Sequence, residues 1–129
     1  MTRLKYTDNI LTILSIICLL CACSSNSTNT AVYQKITAET AYQMMQNETN
    51  FILLDVRTYE EFMARHINGA VLIPVNELGI RAEAELPDKN ALIFVYCQAG
   101  RRSANAANIL VNKGYTQVFD IGGITDWPY

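Results

Sequence analysis

Apolar residues in this chain fall in short unbroken runs, separated by segments where they recur every three or four positions. The runs lie in Phe51-Ile52-Leu53-Leu54, Ala70-Val71-Leu72-Ile73, Leu92-Ile93-Phe94-Val95-Tyr96 and Gln117-Val118-Phe119-Asp120. Unbroken apolarity over so few residues suits strands covered on both faces, as in a parallel sheet. Between the runs, Ala41, Met44 and Met45 share one face of a helix over 38–46, which Thr37 can cap. Thr58 and Glu61 have the spacing of a capping box, predicting a short helix over 59–64. Pro74 closes the second run, and Asn76 is placed to cap a helix over 77–85. Pro87-Asp88-Lys89-Asn90 reads as a turn. Ala104, Ala107, Ile109, Leu110 and Val111 give a helix over 104–112, with Gly114 suited to a left-handed C-cap. Gly122-Gly123 allow a tight turn before Ile124 and Trp127, and Trp127 is expected in the core. Strands alternating with helices predict an α/β sandwich on a mostly parallel sheet, with 92–96 at its centre.

The N-terminal residues depart from this pattern. Arg3 and Lys5 precede an uncharged apolar stretch from Ile10 to Leu20, and small residues follow. A basic start, a short apolar middle and a small-residue exit describe a secretory signal peptide. The apolar stretch is well short of the roughly 20 residues that a membrane span needs. Its end, Leu20-Cys21-Ala22-Cys23, resembles a bacterial lipoprotein signal. That resemblance implies cleavage before Cys23 and a diacylglyceryl thioether on its sulfur. The expected organisation is a signal peptide over 1–22, a lipidated Cys23 with a polar tether over 23–35, and one domain over 36–129. The lipid would anchor the protein to a membrane outside the cytoplasm, on the periplasmic or cell-surface side of a bacterium, each buried methylene contributing about 0.8 kcal/mol.

This processing sharpens the cysteine count. Cys18 and Cys21 leave with the signal and Cys23 is blocked, so Cys97 is the one thiol of the processed domain. It can form no internal disulfide, and outside the cytoplasm it is exposed to oxidation. A working group is therefore expected there rather than a buried small hydrophobe. The neighbours agree. The most apolar run delivers the chain to Cys97, Gln98-Ala99-Gly100-Arg101-Arg102-Ser103 follows, and then a helix starts. Helix N-terminal N–H groups favour negative charge, and two arginines add fixed positive charge. Such surroundings lower a thiol pKa and present the reactive thiolate. Asp55 and Cys97 both stand at carboxyl ends of strands, where ligands bind in such sheets, so they are expected to face one pocket. Asp55 either accepts hydrogen bonds from the Cys97 loop or Arg102, or serves as a turn carboxylate. Arg57 has Asp55, Glu60 and Glu61 as candidate partners. His66, the single histidine, is expected to be structural. No zinc-binding spacing of His and Cys appears, and no cofactor or metal is implied. Ten basic residues against twelve acidic ones show no nucleic-acid footprint. The length allows one domain, expected to be a monomer.

Three ordered segments resemble the rhodanese family of sulfurtransferases. They are Leu53-Leu54-Asp55-Val56-Arg57 with Glu60-Glu61-Phe62, then His66-Ile67-Asn68-Gly69-Ala70, then Cys97 to Ser103 with Gly122-Gly123-Ile124 and Trp127. Arg65 stands where the family usually has Gly, and Asn68 where it often has Pro. The resemblance implies a rhodanese-like three-layer sandwich and a thiosulfate sulfurtransferase activity. Cys97 would take sulfane sulfur from a small anionic donor such as thiosulfate, carry it as a persulfide, and pass it to a thiol or cyanide. Gln98, Ala99, Gly100, Arg101 and Arg102 would form the binding loop, Arg102 holding the anion or bracing the loop, with Asp55 and Arg57 in support. Rhodanese-fold phosphatases and arsenate reductases use a loop one residue longer. Four residues separate Cys97 from Arg102 here, which favours sulfur over phosphate. A sulfur-carrier or protein-interaction module without turnover is the alternative from another class.

Overall fold

The structure, a computed structural model, describes residues 32–129. The signal peptide, Cys23 and most of the tether lie outside the described residues. Five strands form one sheet in the order β1-β5-β4-β2-β3, every neighbouring pair parallel. The strands are β1 (Gln34–Lys35), β2 (Ile52–Asp55), β3 (Val71–Leu72), β4 (Leu92–Cys97) and β5 (Gln117–Gly123). The helices are α1 (Ala38–Asn47), α2 (Tyr59–Ala64), α3 (Val75–Glu85) and α4 (Arg101–Asn112), and a 3-10 turn spans Ile124–Asp126.

The central position of β4 follows from its composition. Its residues from Ile93 to Cys97 are all buried, because both faces are covered. On one face Ile93, Val95 and Cys97 pack with Leu78 and Ala82 of α3 and Ala106, Ala107 and Leu110 of α4. On the other, Phe94 and Tyr96 pack with Ala41 of α1, Ile121, Ile124 and Trp127. Two helical layers on a parallel sheet are the expected three-layer α/β sandwich. Trp127 is buried as expected, and Tyr96 belongs to its face of the sheet.

Two predicted caps form. Thr37 Oγ1 accepts the Thr40 N–H at 3.1 Å. Thr58 Oγ1 accepts the Glu61 N–H at 3.3 Å, while Glu61 Oε2 accepts the Thr58 N–H at 2.9 Å. Asn76 does not cap α3. That helix starts earlier, at Val75, with Pro74 in the cap position. The Val75 N–H already bonds the Val56 carbonyl at 3.0 Å, so one of the usual orphan donors is met without a side chain. β1 lies within the segment read as tether. It pairs with β5 at Gln34↔Phe119 and Lys35↔Asp120, so sheet structure begins ahead of residue 36.

Two further differences shape the site. α4 begins at Arg101 rather than Ala104, because Gly100 turns the chain at φ +93° and its carbonyl accepts the Ala104 N–H. Only glycine adopts that conformation without steric cost. β5 runs on through Gly122-Gly123 instead of turning there, and a register irregularity lets Gly123 pair with Cys97. A Cβ on Gly123 would strike the Gln98 carbonyl oxygen and lie 2.8 Å from Ala99 Cα. That glycine is what lets the Cys97 loop lie against β5.

Candidate active site

β4 ends at Cys97, and the chain must then reverse to begin α4 above the same face of the sheet. Gln98, Ala99 and Gly100 make that reversal, and the first turn of α4 comes back over the sulfur. The Gly100 N–H donates to Cys97 Sγ at 3.0 Å. Burial pushes the Cys97 thiol up. The N–H and hydroxyl of Ser103 and the N–H groups of Gly100 and Ala99 pull it down by more, so it sits below the ordinary thiol range. The Ser103 hydroxyl donates to the Gly100 carbonyl at 3.0 Å.

Cys97 is only 1 % exposed. Even so, it forms part of the wall of an open depression of about 680 Å³, lined also by Gln98, Ala99, Arg101, Arg102 and Asn105. The sulfur is thus approached from one side, in a bowl lined by two arginines. A second depression of about 540 Å³ lies behind the loop, against Lys35, Gly100 and Gly122, and Cys97 does not line it.

Asp55 and Arg57 brace the loop from the neighbouring strand end. Asp55 is fully buried, and Arg57 is 3 % exposed. Arg57 Nε donates to both Asp55 oxygens at 3.0 and 3.1 Å, and Nη2 to Oδ2 at 2.7 Å. The Arg57 backbone N–H adds a bond to Oδ1 at 2.9 Å. The remaining donors leave the pair: Nη1 reaches Gln98 Oε1 at 3.1 Å, and Nη2 the Arg65 carbonyl at 2.6 Å. Asp55 therefore meets neither Arg102 nor the loop itself. It fixes Arg57, and Arg57 holds Gln98 across 41 residues of sequence. From the other side, the Thr125 hydroxyl donates to the Gln98 carbonyl at 3.2 Å.

Arg102 is paired with a carboxylate. Its Nη1 and Nη2 donate to Glu61 Oε2 and Oε1, each at 2.7 Å. Arg101 is exposed at the rim. His66 stacks on Phe62 at 3.9 Å between ring centroids, and its Nδ1 bonds the Phe62 carbonyl at 2.9 Å, a structural place as expected. Ser103, Asn105 and Thr125 were not singled out from the sequence. Ser103 carried the only available signal, a small hydroxyl in the first turn of a helix that follows a cysteine.

A strand-end cysteine at a helix N-terminus, beside two arginines on a parallel α/β sheet, defines a class of site suited to thiol chemistry on anions. The family model described as Rhodanese-like domain matches residues 37–128, and the chain belongs to that family. It is similar to the thiosulfate sulfurtransferase PspE of Escherichia coli K12, 44 % identical over 73 residues, covering 57 % of this chain and 70 % of that protein. It is also similar to the thiosulfate sulfurtransferase GlpE of Haemophilus influenzae, 38 % identical over 96 residues, covering 74 % of this chain and 88 % of that one. Among solved structures, a rhodanese with anions from E. coli superimposes with a TM-score of 0.56 at 43 % identity, over 58 % of this chain and 88 % of that chain.

Removing one member of the buried brace leaves the other uncompensated. Arg57→Ala should destabilise the fold by roughly 3 kcal/mol or more, because it strands the Asp55 carboxylate without its partner. Chemical denaturation of wild type and variant checks this. A loss of less than about 1 kcal/mol, little more than a surface substitution gives, would show that the pair is not a structural strut.

Proposed function

We propose that this chain moves sulfane sulfur from a small anionic donor such as thiosulfate to a thiol or cyanide acceptor, through a persulfide on Cys97. Sulfur transfer as such follows from the family and from relatives named as thiosulfate sulfurtransferases. The observation that carries the finer reading is the Gly100 N–H donating to the buried Cys97 Sγ at 3.0 Å, in a bowl lined by Arg101 and Arg102.

The Cys97 thiolate attacks the outer sulfur of thiosulfate. The new Sγ–S bond forms as the donor's S–S bond breaks, and sulfite leaves with the electron pair. The outer sulfur of the persulfide carries the negative charge into the bowl. Amides already aimed at Sγ need little reorganisation to receive it, and away from bulk water their stabilisation is larger. Cyanide or a thiolate then attacks that outer sulfur, and Cys97 departs as a thiolate ready for the next donor. This is double-displacement covalent catalysis. Gln98, Ala99, Arg101 and Arg102 line the bowl and Gly100 turns the loop behind it, while Asp55 and Arg57 hold the loop through Gln98.

Purified protein given thiosulfate should gain the mass of one sulfur atom on Cys97, and with cyanide it should release thiocyanate. Cys97→Ser, folded as judged by its melting curve, should do neither. Thiocyanate release by that variant at the wild-type rate would overturn the mechanism.

We further place the protein outside the cytoplasm, anchored through lipid on Cys23. The support is the sequence alone: Leu20-Cys21-Ala22-Cys23 after an apolar stretch and before a polar tether. Intact-mass measurement of membrane-extracted protein should find residues 1–22 absent and a thioether lipid on residue 23. An unprocessed N-terminus would refute the anchor and leave the sulfur chemistry standing.

A further inference from the structure

The cations around Cys97 differ in whether a carboxylate is already seated on them. Arg102 lines the bowl, yet both of its terminal nitrogens fork onto Glu61. Glu61 is itself pinned, because its Oε2 also accepts the Thr58 N–H that opens α2. It cannot swing away from Arg102 without undoing that cap. The Arg102 hydrogen bond holds the Glu61 carboxyl down to about 2, so its charge persists at any ordinary assay pH. Arg101 is exposed and enters no ion pair among the described residues. Once Cys97 ionises, Arg101 and Arg102 of the bowl stand against its thiolate, and Glu61 answers Arg102 from outside the lining, so the charges nearly cancel.

A near-neutral bowl discriminates among donors by charge. Thiosulfate brings two negative charges up to a thiolate, whereas an organic thiosulfonate brings one. The reaction is otherwise the same: Sγ attacks the terminal sulfur, the donor's S–S bond breaks, and sulfite or sulfinate leaves with the electron pair. Resting on the sulfur-transfer reading above, we propose that Glu61 sets the donor's charge preference. By occupying Arg102 it weakens the claim of a dianionic donor relative to a monoanionic one. Glu61 touches neither donor nor sulfur. It is a positioning residue that acts through Arg102.

The test is steady-state kinetics of the full chain with thiosulfate and with methanethiosulfonate, cyanide saturating. Glu61→Gln keeps an oxygen for Thr58 and Arg102 but loses the charge. Glu61→Asp keeps the charge on a shorter stem. Glu61→Gln should raise selectivity for thiosulfate over methanethiosulfonate roughly five-fold, through KM rather than kcat. That rise should shrink as salt is added, and Glu61→Asp should not produce it. Unchanged selectivity in Glu61→Gln, or an equal rise in Glu61→Asp, would overturn the proposal by leaving Glu61 a purely structural role. One readout needs no variant. The wild-type KM for thiosulfate should change by less than about two-fold between low and physiological ionic strength, and a steep rise would equally overturn the proposal. A wild-type chain that takes sulfur from neither donor overturns the sulfur-transfer reading along with this one. An active wild type with unshifted variants overturns this one alone.

Discussion

The interaction on which the rest of this structure depends is the bond from the Gly100 N–H, at the start of α4, to the buried Cys97 sulfur. A thiol in an apolar sheet end would resist ionisation, because burial disfavours charge. Here burial acts on Cys97 and the surrounding N–H groups overcome it. That balance requires the chain to leave β4, reverse within three residues and start α4 directly over the sulfur. Gly100 at φ +93° makes the reversal, and Gly123 on the next strand leaves room for it. The cradle is thus a product of two glycines and of the central place of β4, rather than of a dedicated catalytic side chain.

Around the cradle stand two ion pairs with different characters. Asp55 and Arg57 are buried, and their value lies in where the spare Arg57 donors go, to Gln98 and to the Arg65 carbonyl. Buried pairs of this kind are weak sources of net stability, but costly to break. Glu61 and Arg102 are partly exposed and contribute less to stability. Their consequence is electrostatic: a cation at the bowl arrives with its charge largely answered. One residue, Glu61, both caps α2 and holds Arg102, so the local order of a short helix and the charge of the site are joined.

Much of the architecture was legible because double-sided burial writes itself as unbroken apolar runs. β2 and β4 are such runs, and the capping chemistry of Thr37 and Thr58 is local enough to read. β1 was invisible, being two exposed polar residues whose pairing with β5 is settled only in three dimensions. The start of α4 was missed because Arg101, Arg102 and Ser103 carry no apolar periodicity, and the geometry of Gly100 decides the matter. The continuation of β5 through Gly122-Gly123 was hidden for a related reason. Paired glycines suggest a turn, while the contact that demands Gly123 comes from Gln98 and Ala99 in the loop after β4. At the site, Cys97 and its loop could be read from order along the chain. The partner of Asp55 stood among candidates in the sequence, but the reach of Arg57 to Gln98 spans 41 residues and had no local signal. Glu61 was legible as a cap, and only the fold brings Arg102 to it.

The central claim is that the groups around Cys97 hold its thiol pKa below the ordinary value. It is tested most directly by titrating the rate of alkylation at Cys97 against pH, in wild type and in Ser103→Ala. The account predicts a wild-type midpoint below the roughly 8.5 of a free cysteine, moving upward when the Ser103 hydroxyl is removed. A wild-type midpoint at or above that of a free thiol would contradict it.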